Sequence, residues 1–252
     1  MLPFRRRRDP KAAVRPSIPA GSAVYAVGDV HGRADLLADL QAQIVADARR
    51  VEADRRVVVY LGDYVDRGGQ SREVIDRLLD VPLPGFESVH LMGNHEAFLL
   101  QFLETIAAGP GWMMNGGRAT LASYGIQPPA RITDAQLLAE TQAHLRAALP
   151  EDHRLFLETL GLSHVEGDYA FVHAGIRPGV PLDEQAPADL LWIREPFLDW
   201  TGPLERVIVH GHTISEQPEI RPNRIGIDTG AFASGVLTCL ALHGDRRWIL
   251  RT

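Results

Sequence analysis

The run RVVVYLG at 56–62 holds three consecutive valines beside a tyrosine and a leucine, with no polar position in alternation. β-Branched side chains are stiff at χ1 and favour extended backbone. A strand that is apolar on both faces must be covered on both, as in a central parallel strand of an α/β fold. The neighbouring sequence repeats the arrangement. AVYAVG (23–28) and SVHLMG (88–93) read as strands of the same kind. Each of the three is followed by a helical pattern: 33–50, with Leu36, Leu37, Leu40, Ile44 and Val45 at helical spacing; 71–80, with Ser71 as its N-cap; and 96–107. Strand alternating with helix predicts βαβ units in a layered α/β fold.

Farther along, 109–130 carries five glycines, three prolines and Trp112, which predicts a loop with a short helix around 117–123. Helical patterns return over 134–147 and 151–160. The second half then turns to short β runs: LSHVEG, YAFVHAG, RVIVHG, RIGIDTG, GVLTCLAL and RWILR. These predict a second sheet packed on the first, with helices outside. No long linker separates the parts, so 22–252 reads as one domain, preceded by a basic, disordered tail over 1–21 that is rich in Arg and Pro.

At 45% hydrophobic and 23% charged, the 252 residues suffice for a sizeable core. A net charge of -6 argues against a dedicated nucleic-acid binder. The Arg5–Arg8 cluster is followed by no apolar h-region and is no secretory signal; the alternative to a plain solvated tail is an arm that touches anionic lipid, nucleic acid or an acidic partner. No apolar stretch is long enough for a transmembrane helix. Cys239, the one cysteine, lies in an apolar run and reads as a small buried hydrophobe. The expected compartment is the cytoplasm; oligomeric state is not legible.

Three glycine-bounded motifs follow the first three strands: GDVHGR (28–33), GDYVDRG (62–68) and GNHE (93–96). In an open α/β sheet, functional groups gather at the carboxyl ends of strands. One edge would therefore receive Asp29, His31, Asp63, Asp66, Arg67, Asn94 and His95. Any one of these alone is an ordinary turn or cap residue. Together, three acids in one place repel each other unless cations are present, and mixed carboxylate, imidazole and carboxamide donors suit divalent transition ions. AFVHAG adds His173, and VIVHGHT adds His210 and His212. His212 follows Gly211 into the loop and is the better ligand; His210 is still in the strand and reads as structural.

The order GDVHG, GDYVDRG, GNHE, VHAG, HGHT resembles the calcineurin-like metallophosphoesterase superfamily, and the forms GDYVDRG and GNHE resemble its phosphoprotein (serine/threonine) phosphatase family, in the small bacterial and phage-like type. The resemblance spans about 23–242 and implies two packed mixed β-sheets flanked by helices. It implies two divalent metal ions, manganese first, with iron or zinc accepting the same donors. Asp29 and His31 would bind one, Asp63 would bridge, and Asn94, His173 and His212 would complete the other. Ile214 stands where phosphodiesterase branches carry a further histidine. A bridging hydroxide would attack phosphorus in line, with His95 as general acid, Asp66 as its orienting partner and Arg67 forked onto the phosphate. DLLWIREPF (189–197) resembles a segment preceding a second phosphate-binding arginine, which carries that role to Arg194; an ion pair of Arg194 with Glu195 or Glu184 is the alternative.

The implied activity is metal-dependent phosphomonoester hydrolysis, on phosphoserine or phosphothreonine in proteins and on small phosphate esters. The rival enzyme is a dinucleoside polyphosphate hydrolase, whose members usually carry GNHD where this chain has GNHE. A non-catalytic scaffold is the third reading, disfavoured because every ligand is present. In WMMNGGRATLASYG (112–125), the Gly-Gly pair is expected to let backbone approach a ligand, with Asn115 and Arg118 as candidate contacts and an ordinary loop as the alternative. Asp228 and Thr229 of IDTGAF are candidates for supporting the site. His90, His144, His153, His164 and His243 read as surface or satisfied core groups, and Trp192, Trp200 and Trp248 as core.

Overall fold

The computed structural model describes residues 15–252, so the Arg5–Arg8 cluster lies outside the described residues. Two five-stranded mixed sheets pack face to face. The first contains β1 (Ser22–Val27), β2 (Arg55–Tyr60) and β3 (Glu87–His90), mutually parallel. They are joined through α1 (Ala34–Ala48) and α2 (Ser71–Asp80), and α3 (Asn94–Glu104) follows β3. The second is built from β4 (Ser163–Glu166), β5 (Tyr169–Val172), β6 (Val207–His210), β7 (Glu219–Ile220) and β8 (Arg224–Gly226), in the order β4-β5-β6-β8-β7. Here β5, β6 and β8 are parallel.

Alternation along β1 shows why the strands read as continuously apolar. Ala23, Tyr25 and Val27 face the helices with Leu37, Leu40 and Ile44, whereas Val24 and Ala26 face the second sheet. Val57, Val59 and Leu61 meet Phe171, Val209 and Ile225 in the layer between the sheets. Each such side chain contributes about 1.5–3 kcal/mol by leaving water.

Three expectations change. GVLTCLAL and RWILR do not join the second sheet: β9 (Thr238–His243) pairs antiparallel with β1, and β10 (Arg246–Arg251) with β9, extending the first. Residues 109–123 are helical almost throughout, with helices at Gly109–Trp112 and Arg118–Ser123 joined by a wide turn at Met113–Gly117. Packing also begins before Ser22, since Ile18 is buried and its N–H donates to Gly244 at 3.1 Å. Among the described residues no helix is long and apolar enough to cross a membrane.

Candidate active site

The carboxyl ends of β1, β2, β3, β5 and β6 point to one edge, where the loops carry Asp29 and His31, Asp63 to Arg67, His173, and His212, and the first turn of α3 carries Asn94 and His95. Among the described residues, the non-glycine positions in the left-handed region are His31, Asp63, Asp66, Arg67 and His212, with φ between 45° and 72°. All five belong to this edge. Each such residue costs about 1–2 kcal/mol, a strain that persists only where surrounding contacts impose it. The loops after β1 and β2 cross so closely that a Cβ on Gly68 would stand 2.2 Å from the His31 carbonyl oxygen. Gly68 is required there, and its N–H donates to that same oxygen at 3.1 Å.

The donor chemistry fits divalent cations. His31 donates Nδ1–H to the Val65 carbonyl at 2.9 Å, and His173 donates Nδ1–H to the Leu61 carbonyl at 2.9 Å. Both rings therefore carry their lone pair on Nε2. Burial pushes His31 down to about 3 and lowers His173 as well, so both are neutral. Those lone pairs face oxygens: His31 Nε2 lies 3.3 Å from Asp63 Oδ2, and His173 Nε2 lies 3.4 Å from Asp63 Oδ1 and 2.9 Å from Asn94 Oδ1. Acceptor facing acceptor is repulsive without a cation between them, and a carbonyl-anchored imidazole is the usual form of a metal-ligating histidine. His212 Nδ1 joins at 2.8 Å from Asn94 Oδ1. Asp29 accepts the His212 N–H at 2.9 Å through Oδ2, while its buried Oδ1 has no partner.

The residues gather into two potential metal-binding groups that share Asp63: His31, Asp63 and His95, and Asp63, His173 and His212. Asp29 carries the same signature in its electrostatics. Burial, reinforced by the carboxylates of Asp228 and Asp63, holds it well above the usual carboxylate range. A cation reverses that balance.

His95 differs from the other histidines. Its Nδ1 meets the Asp66 carboxylate at 2.7 Å and its Nε2 stands 3.8 Å from Asp63 Oδ2. Burial alone lowers its affinity for a proton, but the carboxylates of Asp63 and Asp66 outweigh burial and raise it above its ordinary value. Arg67 is exposed, with Nη1 2.9 Å from His31 Nε2 and its guanidinium 4.8 Å over the Phe232 ring. Arg194 reaches the rim, where Nη2 donates to the His212 carbonyl at 3.5 Å; it forms no ion pair with Glu195 or Glu184.

Glu96 was visible in the sequence only as the last letter of GNHE. Its buried carboxylate accepts the N–H groups of Gly93, Asp63, Tyr64 and Val65 at 2.7–3.1 Å, tying the start of α3 to the loop after β2. Burial pushes it up to about 8, against those donors. Ser71 is not a cap: it is the first residue of α2, and its hydroxyl accepts the Asp66 N–H at 3.1 Å. His210 ends β6, fully buried against Phe197, as expected of a structural residue. Asp228 is buried, with Oδ1 on the Gly230 N–H and Oδ2 unpartnered. Asn115 and Arg118 are exposed, and Asn115 donates back to the Gly111 carbonyl of its own turn. Trp248 packs edge-on to Tyr25 at 6.5 Å, whereas Trp192 and Trp200 are each 40% exposed rather than core; Trp192 stands edge-on to His212 at 6.3 Å.

Fold and site together define a metal-dependent hydrolase of the two-sheet α/β class. Residues 23–230 match the model of the calcineurin-like phosphoesterases, and the chain belongs to that family. The family uses a binuclear divalent metal centre. One relative, the serine/threonine-protein phosphatase 2 of Salmonella typhimurium, is 28% identical over 224 residues, covering 85% of this chain and 90% of its own. Another, the asymmetrical bis(5'-nucleosyl)-tetraphosphatase PrpE of Halalkalibacterium halodurans, is 27% identical over 235 residues, covering 85% of this chain and 87% of its own. A solved structure described as a putative diadenosine tetraphosphatase matches with a TM-score of 0.60 at 20% identity, covering 94% of this chain and 98% of its own, and bears on the fold alone. Both relatives carry the name of a phosphatase; they differ in substrate, a phosphoprotein for one and a dinucleoside tetraphosphate for the other.

Proposed function

We propose that the protein hydrolyses phosphate monoesters, with phosphoserine and phosphothreonine in proteins as its principal substrates and small phosphate esters as further ones. The observation that carries this reading is the His95–Asp66 pair at 2.7 Å. A serine or threonine leaving group departs as a strongly basic alkoxide and needs a proton. A dinucleoside polyphosphate releases a nucleotide phosphate, a weak base that departs unaided. An imidazole held through Nδ1 by a carboxylate beside the cluster is of most use to the ester.

In this reading Asp29, His31, Asp63, Asn94, His173 and His212 hold two divalent cations, with manganese as the first choice. When bound, such ions lower the pKa of an attacking water and neutralise the phosphate oxygens. Arg67 forks onto those oxygens, as a planar guanidinium does better than an ammonium. Arg194 supplies a second positive charge from the rim. With Nδ1 engaged by Asp66, His95 gives its Nε2 proton to the leaving oxygen. The ester and one water become an alcohol and inorganic phosphate, and the imidazole is reprotonated from solvent.

The experiment offers purified protein and manganese a set of phosphoserine, phosphothreonine and phosphotyrosine peptides beside diadenosine tetraphosphate. Metal-stimulated phosphate release from the serine and threonine peptides at a higher kcat/KM than cleavage of the dinucleotide is expected. The reverse preference would replace this reading with the dinucleotide one.

A further inference from the structure

Asp66 is held by more than its histidine. Its carboxylate also accepts from the indole Nε1–H of Trp112 at 3.0 and 3.1 Å, and from the hydroxyl of Thr120 at 2.6 Å. The Asp66 backbone N–H is shared between Thr120 Oγ1 at 2.9 Å and Ser71 Oγ at 3.1 Å. One hydroxyl therefore grips both ends of Asp66. A threonine hydroxyl has a single proton; here it goes to the carboxylate, and its lone pairs take the amide. All of these groups are buried, with Asp66, Trp112, Thr120 and Ser71 each at 0% exposure. No water competes for the bonds, and none is available to replace one that is lost.

The segment carrying Trp112 and Thr120 is shaped to this contact. Gly116 sits at φ +113, where a Cβ would stand 2.7 Å from the Arg67 backbone nitrogen; its carbonyl accepts that Arg67 N–H at 3.3 Å. A Cβ on Gly117 would stand 2.5 Å from the Trp112 ring. The Gly-Gly pair thus serves close approach to the Asp66–Arg67 backbone and to the indole. Asp66 and Arg67 themselves lie at φ 72 and 66, a strained pair that needs such a template.

The geometry points to Trp112 and Thr120 as positioning residues that fix Asp66 so that His95 aims its proton at the leaving group. The inference rests on the reading of His95 as the general acid. It assigns to a segment some fifty residues distant in sequence the job of making one histidine selective for poor leaving groups.

Leaving-group dependence separates this role from a merely structural one. Thr120→Val and Trp112→Phe read the two bonds separately, so a variant that fails to fold leaves the other to decide. Each is assayed with manganese on p-nitrophenyl phosphate, whose phenolate departs unaided, and on an alkyl phosphate, whose alkoxide needs a proton. The expected result is a fall in kcat of roughly 10–100-fold on the alkyl ester with a fall of less than about threefold on the aryl ester and little change in KM. Thr120→Ser, which keeps the hydroxyl, restores the alkyl rate, and neither Thr120→Val nor Trp112→Phe lowers it further in a His95→Asn background. Equal losses on both esters, or additive losses in that background, overturn the inference. If His95→Asn discriminates between the esters while the Thr120 and Trp112 variants do not, the positioning role alone fails. If His95→Asn itself shows no discrimination, the acid reading fails and takes the positioning role with it.

Discussion

His95 Nδ1 and Asp66 Oδ2 meet at 2.7 Å with His95 1% and Asp66 0% exposed, while the ring's other nitrogen looks toward Asp63 across 3.8 Å. An imidazole so placed is oriented by one carboxylate and turns its other ring nitrogen to the cluster around Asp63. Replacement by asparagine removes the proton and keeps a polar side chain. His95→Asn is expected to lower kcat on alkyl phosphates by roughly 10²–10⁴-fold. Elemental analysis of the variant should still find the parent's complement of metal. Loss of metal in step with activity would make His95 a ligand rather than an acid.

Arg67 is exposed, is held at φ 66 by its backbone and rests over the Phe232 ring. Its role depends on the fork of the guanidinium. Arg67→Lys keeps the charge and loses the second parallel hydrogen bond, so KM for a monoester should rise by roughly tenfold, with a smaller change in kcat. Steady-state kinetics and inhibition by inorganic phosphate read the same contact independently. Unchanged KM and unchanged phosphate inhibition would remove Arg67 from the phosphate site.

Glu96 gathers four backbone N–H groups from two loops into one buried carboxylate. Glu96→Ala leaves those donors without an acceptor and should cost on the order of 3–5 kcal/mol of stability in urea unfolding. Glu96→Asp, one methylene shorter, should fall between the two. A loss below about 1 kcal/mol for the alanine variant would show that water or a shifted loop replaces the carboxylate.

These residues mark where sequence stops being legible. The β-branched runs and the glycine-bounded motifs could be read because each strand's own composition announces it and the functional side chains follow within a few residues. Asp29, His31, Asp63, Asn94, His173 and His212 converge for that reason. Trp112 and Thr120 reach Asp66 across 46 and 54 residues of chain, and nothing local to an indole or a hydroxyl says which carboxylate it will meet. Likewise the last two strands have ordinary β composition, and only tertiary pairing sends β9 to β1 rather than to the second sheet. β7, two residues long, has no periodicity to read.

His90 lies outside the site, stacked on Tyr60 at 5.1 Å with rings 3° from parallel and with Nε2 unpartnered. Burial pushes it down to about 4. A histidine whose folded value is depressed contributes stability above its unfolded value near 6.5 and loses it as pH falls toward 4, because only the unfolded chain takes up the proton. His90→Phe retains the stacking and removes the titration. The stability of the variant relative to the parent should therefore rise by about 3 kcal/mol between pH 7 and pH 4, as read by urea unfolding at each pH. A difference that stays constant with pH would contradict the assignment of a half-buried, neutral ring.

The account depends most on Asp63, whose two oxygens face His31 on one side and His173 on the other at 3.3 and 3.4 Å. The direct measurement is manganese binding to chelator-stripped protein by calorimetry, with p-nitrophenyl phosphate hydrolysis followed in the same titration. The account predicts saturation at two ions per chain, activity that appears as the pair fills, and loss of both in Asp63→Asn. Full activity without added metal, or an Asp63→Asn variant that binds two ions and turns over as the parent does, would contradict it.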